Sequence, residues 1–364
     1  MRVVVAMSGG VDSSVAAGLL AEAGHDVVGV SMQLYDQRAN PDAFGSCCSL
    51  DDLHDARRVA TSLGFPHYIL NLEDEFRAKV VDDFVAEYAS GRTPIPCVHC
   101  NADLKFSTLV ERAAAFDAAA VATGHYARVS FDEERRQYRL WRSADREKDQ
   151  SYFLFTLTQD QLAHACFPVG HLQKSEVRAA AARLGLAVAD KPDSHEICFI
   201  PDGDAAGYVD RAIGGTHDGE IVDTGGAVIG RHRGIHRLTV GQRKGLGLAT
   251  GTAMYVLKLQ PAESRVVVGP KEELGGLELD ATQVNWIAGA PPPGPTRLSA
   301  RIRHRHRDAA ALVTPAGAAA AHVVFDEPQT AITPGQAVVF YSGDEVVGGG
   351  WIDRAERETR SARR

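Results

Sequence analysis

The sequence predicts an α/β fold, with a doubly wound parallel sheet in the first half, then a small β-rich central domain and a C-terminal β-barrel. Strand-like and helix-like segments alternate as far as about Asp204, as in a parallel sheet with helices on both faces. Beyond that point the alternation gives way to short β-rich segments with many glycines, such as 220–229 and 254–268. We therefore expect domains over residues 1–204, 205–278 and 279–364.

The elements of the first half follow from apolar periodicity and from residues that start or stop helices. Val3, Val4 and Val5 suit a strand buried on both faces of a sheet. The helix that opens at Asp12 ends near Ala23, before Gly24. Similar signals predict strands at 27–34, 67–72 and 119–123, and helices at 51–63 (N-cap Ser49), 73–89, 101–116 and 175–184. In the C-terminal part, strands are expected at 300–305, 321–325, 337–341 and 346–352.

The chain is acidic overall, but its basic residues are clustered. Its 47 Asp and Glu against 39 Lys and Arg give a net charge of −8, which by itself argues against nucleic-acid binding. Residues 224–258, however, contain no acidic residue and several basic ones. Arg301, Arg303, Arg305 and Arg307 alternate, so in a strand they would project from one face and suit phosphates or carboxylates. The alternative is a solvated face.

Composition also indicates where in the cell the protein is located. No apolar run approaches the roughly 20 residues that span a membrane, and the N-terminus enters the first strand directly, so we expect a cytoplasmic protein without a membrane partner. Six cysteines are few for 364 residues and are interpreted as thiols or ligands rather than as a disulfide framework.

The loop after the first strand predicts an anion site. Ser8, Gly9 and Gly10 turn the chain into the following helix, whose first N–H groups and positive dipole end favour a phosphate. No Gly-Lys-Ser/Thr follows, so this is not a Walker A loop and it has no lysine of its own for a terminal phosphate. The alternative is a tight glycine turn.

Thiol chemistry is predicted in the proline-stiffened segment 91–101. Cys100 falls at the start of the predicted helix, where the dipole favours a nucleophilic thiolate. Together with Cys97 it also matches half of a zinc or iron–sulfur site, although a second Cys-x-x-Cys pair is missing. Cys198 lies among apolar residues, where a lone cysteine is usually inert core.

Five segments together resemble the tRNA-specific 2-thiouridylases. They are Ser-Gly-Gly-Val-Asp-Ser-Ser at 8–14, Gly-Arg-Thr-Pro-x-Pro-x-x-x-Cys-Asn at 91–101, Ala-Thr-Gly-His-Tyr-Ala at 122–127, Lys-Asp-Gln-Ser at 148–151 and Ile-Cys-Phe-Ile at 197–200. The similarity continues through 241–247 and 333–336 and so covers nearly the whole chain. The first segment is similar to the PP-loop of ATP pyrophosphatases, which implies a Rossmann-like sheet.

The resemblance implies an enzyme that replaces O2 of the wobble uridine in certain tRNAs with sulfur while consuming ATP. Uridine O2 would attack the α-phosphate, and Mg²⁺, with Asp12 as a candidate ligand, would neutralise the phosphates. Cys198 would carry persulfide sulfur received from a sulfur-carrier protein or cysteine desulfurase. Cys100 would act as the nucleophile and leave a Cys100–Cys198 disulfide.

The same match assigns binding residues and exposes three departures from the family. ATP would contact Ala6, Met7, Ser8, Gly9, Gly10, Val11, Asp12, Ser13, Met32 and Gly124. The target base would lie against Ile95, Pro96 and Cys97, and other parts of the tRNA against His125, Lys148, Asp149, Gln150, Arg303, His304 and Gln336. Ile95 and Cys97 stand where the family commonly has Asn and Asp, which changes the polar groups offered to the base. His304 replaces a usual tyrosine, so stacking would be by an imidazole.

Three alternatives stay open. An amidating synthetase would keep the PP-loop but use an amine as nucleophile and need no paired cysteines. A non-catalytic tRNA-binding protein would hold the nucleotide without releasing pyrophosphate. Within the thiolation reading, Cys97, Cys100 and Cys198 could instead ligate an iron–sulfur cluster, because three thiolates are enough to hold one. We favour the persulfide route.

Overall fold

The computed structural model describes residues 1–35, 50–193, 197–200 and 202–357. The predicted N-cap Ser49, the cysteines Cys47 and Cys48, and residues 358–364 lie outside these ranges. The strands are β1 (Arg2–Ala6), β2 (Asp26–Gln33), β3 (His67–Asn71), β4 (Ala120–Thr123), β5 (Ala127–Asp132), β6 (Gln137–Arg142), β7 (Ala165–Cys166), β8 (Gly219–Val222), β9 (Val228–His232), β10 (Tyr255–Gln260), β11 (Arg265–Gly269), β12 (Gly275–Trp286), β13 (Thr296–Arg301), β14 (Ala309–Pro315), β15 (Ala320–Thr330), β16 (Ala337–Ser342) and β17 (Glu345–Arg357).

The helices are α1 (Val11–Glu22), α2 (Leu50–Leu63), α3 (Glu73–Phe76), α4 (Asp82–Ala89), α5 (Pro96–His99), α6 (Leu109–Ala114), α7 (Gln159–His164), α8 (Lys174–Arg183) and α9 (Ala205–Ile213). Two π-helical stretches continue them without a break: Arg77–Val81 joins α3 to α4, and Cys100–Thr108 joins α5 to α6. None of the helices in the described ranges is both long and apolar enough to cross a bilayer.

The first half folds around a parallel sheet with the strand order β3-β2-β1-β4-β7. Side chains of β1 alternate between its two faces. Val3 and Val5 pack into a core with α1, α2 and α8, whereas Val4 packs into a second core with α4, α6 and α9. The predicted doubly wound sheet is therefore confirmed, with the carboxyl ends of its strands at one edge.

The predicted central β-rich unit is also confirmed. Its sheet has the order β10-β11-β8-β9. The predicted β-rich segments 220–229 and 254–268 fall on two antiparallel pairs, β8–β9 and β10–β11. Buried Ile221, Val256 and Val266 form its core.

The C-terminal barrel consists of six strands in the order β12-β15-β14-β13-β16-β17, and β12 pairs with β17 to close it. The hairpin β5–β6, which the sequence analysis did not predict, extends this sheet through the pairing of Leu140 with Val346. Backbone hydrogen bonds therefore tie the first half of the chain to the barrel.

Three expectations about elements are wrong. The helix expected at 101–116 begins at Pro96, because proline at a first helical position lacks only an N–H that would be unpaired anyway. The strand expected at 300–305 ends at Arg301, and a turn with His306 N–H donating to Arg303 O follows, so the four arginines do not share one strand face. Helix α9 follows the point where alternation was expected to end, with Asp204 accepting from Gly207 N–H as N-cap.

Candidate active site

The glycine loop forms a bare backbone cradle between β1 and α1. Gly10 precedes α1 without any capping side chain, so the first N–H groups of the helix keep their capacity to bind an anion. Gly9 has a φ of 72°, and a Cβ there would lie 2.2 Å from the backbone oxygen of Asp52. A Cβ on Gly124 would lie 2.5 Å from the nitrogen of Ser13. Only glycine fits at both positions.

A cavity of about 760 Å³ opens beside this cradle, and most of the predicted site residues line it. Every predicted ATP residue except Gly9 is among the lining residues. So are the two predicted catalytic cysteines. The lining residues with a predicted tRNA role are Pro96, Cys97, His125, Lys148, Asp149, Gln150 and His304.

Three residues with a predicted tRNA role do not line the cavity. Ile95 is buried in the core shared with the barrel. Arg303 donates from Nη2 to the oxygen of Thr330 at 3.2 Å. Gln336 donates from Nε2 to the oxygen of Thr93 at 2.9 Å, which fastens the segment before Pro96 to the barrel.

Three cysteines line the cavity: Cys97, Cys100 and Cys198. Cys97 is exposed, Cys100 is buried, and Cys198 is partly buried beside the core. Because the helix starts at Pro96, Cys100 lies one turn inside it and not at its N-terminus. The helix dipole therefore favours a thiolate at Cys100 less than the sequence predicts.

Lysines from distant segments supply the positive charge that the loop itself lacks. Lys174 Nζ lies 2.7 and 2.9 Å from the two oxygens of Asp12 and 2.8 Å from Asp193 Oδ1. Lys148 Nζ binds Asp193 Oδ2 at 2.9 Å. Burial disfavours the charged form of Asp193, but these two ammonium groups outweigh it and lower the pKa of Asp193 to about 2. The Tyr126 hydroxyl donates to Asp12 Oδ1 at 2.9 Å.

Lys191 supports the loop from the other side. Its Nζ donates to the oxygen of Gly9 at 3.1 Å and binds Asp52 and Asp55 at 2.5 and 2.6 Å. Burial would lower the pKa of Lys191, but the two carboxylates outweigh it and raise that pKa. These contacts span more than 130 positions of sequence, and no local signal in the sequence indicated them.

The segment 148–150 divides its side chains between the cavity and the interior. Gln150 accepts from Tyr126 N–H at 2.9 Å. The carboxylate of Asp149 is buried and lies 3.8 Å from Arg142 Nη1 and 3.7 Å from Arg301 Nη1. Asp149 therefore anchors this segment to the barrel.

Two histidines at the cavity are shifted towards the neutral form. Burial, with the charge of Lys105, lowers the pKa of His125 well below its ordinary value, and His125 Nδ1 lies 2.7 Å from Thr123 Oγ1. Burial likewise lowers the pKa of His304. The centroid of the His304 ring lies 4.5 Å from that of Phe153, so an aromatic pair lies at the edge of the cavity.

His99 links the cysteine-bearing helix to the barrel. Its ring stacks parallel on Trp351 with 5.0 Å between centroids. Burial would lower the pKa of His99, but the carboxylates of Asp103 at 3.3 Å and Asp83 at 3.5 Å outweigh it and raise that pKa.

The residues at the cradle fit a magnesium–nucleotide site. Mg²⁺ commonly takes one or two protein carboxylates together with substrate phosphates, and Asp12 is a carboxylate that lines the cavity at the cradle. The same two carboxylate oxygens of Asp12 also bind Lys174 Nζ. Within the described ranges, no three His, Cys, Asp or Glu side chains gather as a ready metal-binding group.

Comparisons with known proteins give matches along nearly the whole chain. Family models described as a tRNA methyl transferase HUP domain, a tRNA methyl transferase PRC-barrel domain and an aminomethyltransferase beta-barrel domain match residues 1–202, 207–270 and 277–352. Among the relatives that carry the name tRNA-specific 2-thiouridylase MnmA, three illustrate the match. The Acidobacterium capsulatum protein is 51% identical over 96% of this chain and 98% of its own. The Geotalea uraniireducens protein is 52% identical over 97% of this chain and 95% of its own. The Geobacter metallireducens protein is 51% identical over 98% of this chain and 98% of its own.

Proposed function

The chain belongs to the tRNA-specific 2-thiouridylase family, and from this premise we propose that it converts a tRNA uridine to 2-thiouridine in an ATP-dependent reaction. The observation that carries the proposal is the shared cavity, in which Cys100 and Cys198 meet an uncapped glycine loop. A nucleotide site alone would suit many activities. Two thiols beside it suit sulfur transfer.

ATP occupies the cradle in this proposal. The N–H groups that follow Gly10 bind phosphate oxygens, and Gly124 leaves room for the nucleotide to approach Ser13. Met32 lines the same cavity near the carboxyl end of β2. When bound, Mg²⁺ would be held by Asp12 and would neutralise phosphate charge.

The tRNA presents its wobble uridine to the cavity from the side of the barrel. Lys148 and Gln150 lie at this border with His304, and Pro96 and Cys97 form the wall for the target base. We propose that residues 205–278 and 279–364 mainly hold the tRNA, while residues 1–204 carry the chemistry.

Sulfur enters through Cys198. A persulfide carrier or cysteine desulfurase transfers sulfane sulfur to its thiol after O2 of the uridine has displaced pyrophosphate from the α-phosphate. The Cys100 thiolate then forms a bond to Sγ of Cys198, and the terminal sulfur leaves with the electron pair of the broken persulfide bond. This hydrosulfide bonds to C2, and AMP departs with the former O2. An external thiol must later reduce the Cys100–Cys198 disulfide.

The descriptions of the family models name methyl transfer, whereas the full-length relatives are named for thiolation. Methyl transfer requires neither pyrophosphate release nor two cysteines in one cavity. The placement of Cys100 and Cys198 therefore favours thiolation.

One experiment tests the function. The protein is incubated with unmodified tRNA, ATP, Mg²⁺ and a persulfide donor, and the digested tRNA is analysed by mass spectrometry. We expect 2-thiouridine and pyrophosphate. Pyrophosphate without sulfur incorporation would favour an amine nucleophile, and neither product would favour a tRNA-binding protein without catalysis.

A further inference from the structure

The π-helical stretch Cys100–Thr108 determines which residues share a face with Cys100. In an α-helix of 3.6 residues per turn, the side chain of residue i+5 points about 140° away from that of residue i. Hydrogen bonds from residue i to i+5 widen the turn to about 4.4 residues, so residue i+5 lies only about 50° around the helix from residue i. Lys105 is the fifth residue after Cys100, and both residues line the cavity.

The ammonium group of Lys105 is held in this place. Its Nζ donates to Asn101 Oδ1 at 2.9 Å. Asn101 is itself buried and donates from Nδ2 to the oxygen of Phe153 at 3.2 Å. These two hydrogen bonds hold the head of Lys105 in place at the cavity that both Cys100 and Lys105 line.

We propose that Lys105 is a further residue of the reacting centre, whose ammonium group stabilises the anionic sulfur of Cys100. This inference rests on the proposed function, and it fills a gap in it. Cys100 lies one turn inside the helix, so the helix N-terminus does not supply the positive charge that favours a thiolate. Lys105 supplies that charge while the Cys100 sulfur attacks Cys198.

The test measures the charge beside Cys100 directly, without ATP, tRNA or a sulfur donor. Alkylation of Cys100 is followed by peptide mass spectrometry at one fixed pH with two reagents, anionic iodoacetate and neutral iodoacetamide. Both reagents need the same thiolate, so the ratio of their rates reports the local field rather than the amount of thiolate. A neighbouring ammonium raises this ratio, because it attracts the anionic reagent.

We expect Lys105→Met to slow both reactions and to lower the iodoacetate to iodoacetamide ratio about fivefold or more. Lys105→Arg keeps the charge and should retain most of the ratio. Lys79→Met is the matched control, because Lys79 Nζ donates to the oxygen of Asp103 in the same π-helical stretch at 3.3 Å but does not line the cavity. It should leave the ratio unchanged.

A thiol away from the cavity reports on the fold of the variants. Labelling of partly buried Cys166, which does not line the cavity, should stay at the wild-type rate in each variant. An unchanged ratio in well-folded Lys105→Met, or an equal fall in Lys79→Met, would overturn the inference. Failure of 2-thiouridine formation in the wild type, with the Lys105 effect intact, would instead refute the proposed function alone.

Discussion

Replacing Asp149 by asparagine removes a carboxylate that lies between two inward-pointing arginines. Arg142 is buried, and its guanidinium carbon sits 3.5 Å above the ring of Tyr341. Asp149 Oδ2 lies 3.8 Å from Arg142 and 3.7 Å from Arg301, and Ser151 Oγ donates to it at 3.0 Å. Asparagine can still accept hydrogen bonds, but it cannot balance either charge.

Breaking a buried ion pair on one side costs about 3–5 kcal/mol. Asp308 still binds Arg142 at 2.6 Å, which places the expected loss at the lower end, about 3 kcal/mol. For a cooperative unit of roughly 150–250 residues, this lowers the melting temperature by about 6–12 °C. Lys148→Gln, one position away, removes only a partly exposed pair with Asp193 and should cost no more than about 1 kcal/mol.

Differential scanning fluorimetry measures the two melting temperatures, and fluorescence anisotropy measures tRNA affinity in the same samples. We expect Asp149→Asn to lower stability clearly and Lys148→Gln to lower mainly affinity. An Asp149→Asn protein that melts like the wild type but binds tRNA weakly would refute the anchoring role and place this carboxylate against the RNA.

Two further predictions concern the helix that carries the nucleophile. Cys198→Ser should still release pyrophosphate with tRNA but fail to thiolate it, and Cys100→Ser should accumulate persulfide on Cys198. Cys97→Ser should reduce the 2-thiouridine measured by mass spectrometry only mildly. Equal loss of thiolation in all three variants, with a brown, iron-containing anaerobic preparation, would favour a cluster. The pKa of His99 is raised in the folded protein, so its stabilising charge is fully present below about pH 6.5 and is lost as the pH rises through the folded pKa. His99→Gln should therefore lower the melting temperature more at pH 6 than at pH 9, and an equal difference at both would contradict the stacked, protonated ring on Trp351.

The parts of the fold predicted correctly are those that local sequence encodes. The valines of β1 and the stop at Gly24 each act within a few residues, so strand and helix positions in the first half follow from them. The helix start at Pro96 also had a local signal, because proline is favoured at a first helical position. Alternation in residues 127–132, Ala-Arg-Val-Ser-Phe-Asp, also signalled a strand that was not predicted.

Long-range charge pairing is what the sequence could not indicate. Lys174 meets Asp12 from 162 positions away, and the residue types at either end are ordinary for surfaces. Asp149 was equally ambiguous, because a charged residue in a polar segment suits solvent or RNA, and only the contact with Arg301 of the barrel makes its carboxylate an interior anchor. Charged residues identify such sites only after the fold has brought their partners together.

Besides its proposed role in holding the tRNA, the barrel therefore helps to position the reacting centre. It fastens the cysteine loop through Gln336 and Thr93, holds the 148–150 segment through Arg301, and continues its sheet into the hairpin that precedes that segment. Each contact crosses from the last quarter of the chain to the half that holds the nucleotide cradle. The geometry around Cys100 therefore depends on all three contacts. Residues 1–202 contain both cysteines and the cradle. They lack the barrel residues that position the cysteine loop and the 148–150 segment.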